Sequence, residues 1–231
     1  MKNRSSYLLL ILTASFLLVG AGMAQTQHYS YKIRYGMIQA GHADLSYYQV
    51  ADTVNGFLSI KSSPWLSSVW SLADTIENRF EITENRLLSH RKSVNQGKYN
   101  RRYQVNFPSN DTAMVNSKPV AIDGPVMDVP QLIHSLRYMD LEPGDTLFLS
   151  IWDGKESGDL TLLVKKPTIS LDLNPLTKPP KILELRPLES TRKSREHGLR
   201  LKLHVRDSKP HDPERIEIET RYGNLEMLRE R

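Results

Sequence analysis

The chain reads as a mainly β protein, an antiparallel meander curled into a barrel or half-open barrel, with one short helix packed on its concave face. Three observations predict this. Apolar and polar residues alternate with a two-residue period in stretch after stretch, which gives a strand one dry and one wet face. Turn-forming Gly, Asn, Asp and Pro recur roughly every ten residues and separate about a dozen such stretches. A helical period is convincing in one place, and a helix that short must bury its apolar stripe against something else.

The meander opens at Tyr29–Tyr48, YSYKIRYGMIQAGHADLSYY, read as two strands joined at a short turn. Ile33 and Tyr35 alternate there with Lys32 and Arg34. Gly36 and Gly41 punctuate the run, as glycines do at a bulge, a bend or a close backbone approach. Asn55-Gly56 is read as a tight turn, since both residues tolerate positive φ, and Phe57–Ser62 as a third strand. Pro64 then breaks the sheet pattern, and Trp65, Leu66, Val69 and Trp70 follow at near-helical spacing. In Thr75–Thr83, Ile76, Phe80 and Ile82 share one face and Glu77, Arg79 and Glu81 the other. Leu87–Val94 is a strand, turned at Gln96-Gly97. Tyr99, Tyr103, Val105 and Phe107 form the apolar side of the next, with Arg101 among them near an edge or snorkelling. Two short strands follow, around Ala113–Val115 and Val120–Ile122.

The helix comes next. Asp128 is a good N-cap with Gln131 three residues on, the pattern of a capping box. Pro130 sits in the first turn, where its missing N–H costs little. Val129, Leu132, Ile133 and Leu136 fall on one face, and Glu142-Pro143-Gly144-Asp145 ends the segment as a turn. Strands resume at Thr146–Trp152, Asp159–Lys166 and Lys181–Arg186, with Thr177–Pro180 extended and irregular. The last third alternates most cleanly: Leu199, Leu201, Leu203 and Val205, then Ile216, Ile218, Thr220 and Tyr222, then a turn at Gly223-Asn224 and a final strand, Leu225–Leu228.

Composition bounds the compartment. Lys2 and Arg4, the apolar run Tyr7–Val19 and the small residues of Gly22-Met23-Ala24 read as a secretory signal peptide cleaved after Ala24. About a dozen apolar residues is short for a spanning helix, which needs roughly 20. The expected organisation is residues 1–24 as leader and 25–231 as one β-rich domain, periplasmic and without a membrane span. The 231 residues contain no Cys. That excludes disulfides, thiolate metal sites and attachment of a lipid through a Cys. Removing Lys2 and Arg4 from the 31 basic residues leaves 29 against 26 acidic ones, a net +3. Those charges interleave as on a solvated surface, so nucleic acid is not implied. The densest basic cluster, Arg192, Lys193 and Arg195, reads as a loop.

The ordered set of these residues resembles a bacterial family of domains of unknown function, numbered 3108. Tyr31, Ile33, Tyr35, Gly36, Ile38, Ala40, Gly41, Ala43 and Leu45 stand where that family has Y-x-V-x-Y-G-x-I-x-A-G-x-A-x-L. Gln96-Gly97-Lys98-Tyr99-Asn100-Arg101 is similar to its E-G-K-Y-x-R segment. Asp128 to Asp145, with Leu136, Arg137 and Pro143-Gly144-Asp145, is similar to its helix and turn, and Pro213 to Glu226 to its closing strands. Where many members have T-P-L-G-T-F, this chain has Asn174-Pro175-Leu176-Thr177-Lys178-Pro179, so that loop is expected to differ. The resemblance implies compartment and fold; the family carries no catalytic residues to transfer.

Candidate chemistry is sparse. His197, His204 and His211 recur every seven residues, a spacing without meaning on a strand hairpin, and are read as solvated side chains, not metal ligands. His42 and Asp44 share a polar strand face but lack a third group to complete an acid–base site. Ser62 and Ser63 precede Pro64 without the G-x-S-x-G context of a nucleophile. No metal or cofactor is expected.

The segment that resists a purely structural account is Pro64–Leu72. Trp65, Leu66, Val69 and Trp70 are the expected ligand-contacting residues, forming a flap at the mouth of the barrel, because Trp joins an apolar body to a polar N–H. The expected function is therefore a non-enzymatic envelope protein that binds or carries a lipid-like or other hydrophobic ligand. The alternative is a structural or protein-interaction module of the envelope with a packed core. An enzyme acting on cell-wall glycan would need paired carboxylates converging in a cleft, and ranks last.

Overall fold

The computed structural model describes residues 25–69, 71–165, 180–187, 200–220 and 223–230. Strands β1 (Gln25–Tyr35) and β2 (Ile38–Val50) form the opening hairpin, turned at Gly36, whose φ is 58°. Tyr29, Tyr31 and Ile33 point inward with Ala43, Leu45 and Tyr47. The register shifts between Ile33 and Arg34, which leaves Ala40 as the extra residue of a bulge. At the neighbouring Gly41 a Cβ would collide with the backbone carbonyl of Lys61.

The next turn departs from expectation. It is made by Ala51 and Asp52, with Ala51 at φ 51°, and Asn55-Gly56 lies inside β3 (Thr53–Ser62). Gly56 is required there by packing. Its N–H donates to Asn78 Oδ1 at 2.9 Å, and a Cβ would collide with that same side chain.

After β3 come a single helical turn, α1 (Pro64–Ser67), and strands β4 (Ala73–Glu81), β5 (Arg86–Gln96), β6 (Tyr99–Asn106), β7 (Thr112–Val115) and β8 (Lys118–Ala121). The long connection that follows holds α2 (Val129–Leu136). Then β9 (Thr146–Trp152), β10 (Ser157–Lys165), β11 (Lys181–Pro187), β12 (Arg200–Val205), β13 (Pro213–Thr220) and β14 (Gly223–Arg229) complete one antiparallel sheet of fourteen strands. Strands pair with their neighbours in sequence, except that β8 does not pair with β9 and β1 pairs with β14. The first and last strands are thus central, and β8 and β9 are the edges.

The sheet is strongly curled but not closed. The connection before α2 lies along β9, with Met127 N–H donating to Ser150 O at 3.0 Å and Trp152 N–H to Met127 O at 2.7 Å. The curl brings the end of β9 over β5 and β6: the Trp152 and Phe107 rings meet edge to face at 5.3 Å, and Lys92 pairs with Asp153. Val105 of β6 and Phe107 just after it are buried, whereas Tyr99 and Arg101 are exposed, the guanidinium stacked over the Tyr99 ring.

α2 lies on the concave face, against β3 and β4. It buries more than an apolar stripe, for Gln131 and His134 are enclosed as fully as Leu132, Ile133 and Leu136. The remaining inward positions carry large side chains: Tyr31, Leu45, Tyr47, Phe80, Leu87, Trp152, Leu162, Leu183 and Leu203. A packed interior of this kind loses stability when an atom is added without space.

Gly56→Ala is expected to lower unfolding stability by about 2–4 kcal/mol, from overpacking and a lost buried hydrogen bond, whereas Asn55→Ala stays within about 0.5 kcal/mol. Urea denaturation of both variants checks this; equal losses would restore the tight-turn reading of the pair.

Candidate functional site

Pro64 starts α1 because its fixed φ suits a first helical position and its missing N–H is not needed there. The short helix is held by serines: Ser67 Oγ donates to Ser63 O at 3.0 Å and Ser68 Oγ to Trp65 O at 2.8 Å. It is pinned to the β1–β2 hairpin. Ser63 N–H donates to Ala40 O at 2.8 Å, and the Trp65 indole N–H donates to Gln39 O at 3.1 Å. The indole body stays 55% exposed, and Val69 is 84% exposed. Leu66 is half-buried, and Trp70 lies outside the described residues. The indole bond places Trp65 beside the first hairpin turn, where Met37 is 92% and Ile38 55% exposed. The sequence reading missed Met37 and Ile38, which looked like ordinary strand residues.

A second group of residues is buried and polar. The Asp128 carboxylate caps α2 by accepting from Gln131 N–H at 3.1 Å. It also accepts from Asn78 Nδ2 of β4 and, at 2.8 Å, from His90 Nδ1 of β5. Asn78 passes the chain of bonds to Gly56 of β3. The capping box is not reciprocal, because the Gln131 side chain donates to Asn85 instead. His90 Nε2 has no hydrogen-bond partner among the described residues. The sequence did carry a signal for part of this group: Asn78 is a polar residue on the Ile76–Phe80 face of its strand.

At the far end of α2, Arg137 is 2% exposed. Its Nε donates to Asp212 Oδ1 at 2.9 Å and its Nη1 to Gln27 Oε1 at 2.6 Å. The guanidinium lies over Tyr29 and Tyr138, at 4.9 and 5.2 Å from the ring centres, a favourable stacking for a desolvated cation. Arg229 also reaches Asp212, at 3.3 Å, and Tyr29 OH donates to the same carboxylate. Burial pushes the Tyr29 phenol up to about 12 and raises Tyr31 and Tyr47 well above the usual phenol range too. These hydroxyls therefore stay protonated and act as hydrogen-bond donors, Tyr47 to Pro130 O at 2.8 Å.

The remaining sequence candidates are not assembled into a site. His42 and Asp44 separate: His42 meets Gln39, and Asp44 accepts from Ser30. His204 and His211 are not free in solvent as expected. His204 Nε2 lies 2.7 Å from Glu217 Oε1, and buried His211 bonds the Arg206 carbonyl through Nδ1. His197 and the Arg192–Arg195 cluster lie outside the described residues. Among the described residues no three His, Asp or Glu side chains stand where they could hold a metal ion. None of the described helices is long and apolar enough to cross a membrane. Grooves of about 500 and 300 Å3 open on the sheet, the larger lined by side chains such as Thr75, Arg91, Ser93 and Gln104, the smaller by Ser46, Asn55 and Glu77 together with the rings of Tyr48 and Phe57.

Residues 30–229 match the family described as protein of unknown function DUF3108. The chain belongs to this family. No curated protein matches it. Among solved structures it is similar to a β-barrel-like protein of domain of unknown function DUF1849 from Brucella abortus. That likeness has a TM-score of 0.61 at 7% identity and covers 91% of this chain and 97% of the other, so it speaks to the fold. In this DUF3108 chain the residues that carried the family resemblance divide between the interior and exposed turns, the latter including Gly36, Gly97-Lys98 and Pro143-Gly144-Asp145. Tyr31, Ile33, Ala43 and Leu45 line the concave face, and Asp128 and Arg137 hold the two ends of α2.

A further interior group, on α2, gives this protein's stability a pH dependence. His134 sits among the rings of Tyr47, Phe80 and Tyr138, with centroids 5.0, 5.1 and 5.2 Å away. Burial, aided by the Arg137 charge, holds its imidazole down at about 4, against about 6.5 when solvated. Between those values the unfolded chain binds a proton that the folded chain does not. The stability due to neutral His134 is complete above pH 6.5 and is lost as pH falls towards 4. Urea denaturation at pH 7.5 and 4.5 is expected to show a smaller pH dependence for His134→Phe than for the natural protein; identical dependences would contradict this.

Proposed function

We propose that this protein is an exported, non-enzymatic interaction module of the bacterial envelope, periplasmic after loss of its leader, which works through its outer surface and carries no ligand inside. The observation that supports this most directly is the occupied concave face. A carrier of lipid-like molecules needs an apolar cavity, commonly about 300–1,000 Å3. Here α2, the Asp128 and Arg137 networks and the large inward side chains fill the place where such a ligand would lie. Two grooves of comparable size open on the sheet instead, one lined mainly by polar and charged side chains and the other by a mixture that includes Tyr48 and Phe57.

An acid–base role finds little support in the same geometry. The arrangement closest to one, Asp128 with His90, is closed to solvent, and each of its Asp128 contacts serves to anchor α2. The surface best suited to a partner is the end bearing Met37, Ile38, Trp65 and Val69, because exposed apolar side chains clustered at one place mark contact sites.

Native mass spectrometry of the protein purified from a bacterial envelope tests the reading. The expected species is the polypeptide 25–231 alone. A stoichiometric hydrophobic adduct would overturn the reading in favour of the carrier, and a mass that retains residues 1–24 would overturn the cleaved leader.

A further inference from the structure

We propose that the Trp65 end of the sheet is a docking surface for an anionic phospholipid bilayer. This rests on the reading of the protein as an envelope interaction module and names the partner of that surface.

The end is built from three adjoining connections. The β1–β2 turn is bonded to α1 through Gln39 and Ala40. The chain after α1 is bonded to the β5–β6 turn, with Gly97 N–H donating to Ser71 O at 2.7 Å and Leu72 bridged to Gln96. Met37, Ile38, Trp65 and Val69 project from the first two of these, and all are more than half exposed. They stand on tips. A Cβ added at Gly36, beside Met37, would meet nothing within 4 Å. Small apolar knobs on turns suit penetration into the headgroup and upper acyl region, where Trp is favoured by its polar N–H and apolar ring. The hydrogen bonds within α1 and to the hairpin hold the knobs in place beforehand, so little ordering is left for binding.

Charge selects the bilayer. Lys61 of β3, opposite Ala73, and Lys98 of the β5–β6 turn are exposed at this end. Arg101 follows on β6, also exposed. Asp74, which accepts from Asn95 N–H and Gln96 Nε2, is the carboxylate between these connections and leaves the three cations in excess. The knobs are therefore flanked by an excess of exposed cations, which anionic headgroups attract. A second copy suits this surface less well. A two-fold contact brings the same patch from each subunit together, which would set Lys61 and Lys98 against their own kind.

The test uses the mature protein with vesicles of phosphatidylglycerol and phosphatidylethanolamine, and with neutral phosphatidylcholine vesicles. Sedimentation is expected to carry the protein down with the anionic vesicles and not the neutral ones, less so at high salt. The double variant Met37→Asp/Val69→Asp is expected to weaken binding at least tenfold while its melting temperature stays unchanged. Lys61→Glu/Lys98→Glu is expected to weaken binding to the anionic vesicles as well. Protein left in the supernatant with anionic vesicles would overturn bilayer docking, as would a Met37→Asp/Val69→Asp variant that binds like the natural protein. If vesicles are not bound but the double variant abolishes self-association or a stoichiometric protein complex, bilayer docking falls and the interaction-module reading stands. A lipid that stays bound one to one in the double variant would overturn that reading too.

Discussion

The buried carboxylate of Asp128 is the constraint around which the interior is arranged. A carboxylate out of water is tolerable when its oxygens are satisfied by well-placed donors. Here the donors come from the backbone of α2, from Asn78 on β4 and from His90 on β5. The charge can be buried when these elements are in register, and so it fixes where the helix enters the curved sheet. Gly56 takes part because Asn78 needs the space and the N–H that a glycine leaves. Arg137 and Asp212 secure the other end of the helix, with His211 N–H donating to the Arg137 carbonyl at 2.8 Å. A helix held at both ends by buried charges fills the concave face like a fixed part of the core.

The topology leaves an unclosed sheet of this size with little open edge to offer other chains. Unpaired strand edges invite association unless they are short, charged, interrupted by proline or covered. Edge strand β8 has four residues, among them Lys118 and Pro119. Edge strand β9 is partly covered by Met127 and is curled over β5 and β6 by the Trp152–Phe107 contact. The two chain-terminal strands, β1 and β14, are removed from the edges by pairing with each other.

Much of the wall could be read from the sequence, because one-sided burial leaves a period-two record. Leu201 and Leu203 of β12 pair across with Ile218 and Ile216 of β13 as that alternation requires. The helix, its N-cap and its place on the concave face were legible for the same reason, as local pattern and burial agree there. Where they disagree, the sequence misled. Asn55-Gly56 has the local chemistry of a turn, but a contact with Asn78, distant in the chain, keeps it extended. His90 looks like a surface residue of a charged strand, and its burial follows from Asp128, 38 positions later. For the candidate contact surface, the sequence pointed to Trp65 and Val69 through their isolation among serines. Met37 and Ile38 belong with them through a hydrogen bond to the Gln39 backbone, which no side-chain pattern records.

Hydrogen exchange measured residue by residue tests the central claim that Asp128 locks the helix into a closed interior. The amides of Gly56 and Gln131, which donate to Asn78 and Asp128, are expected to exchange only through global unfolding, with the same free energy as amides in the central strands β1 and β2. Exchange of Gln131 through a local opening far below that free energy, while β1 and β2 stay protected, would mean that the helix leaves the concave face and that the interior is open to a ligand.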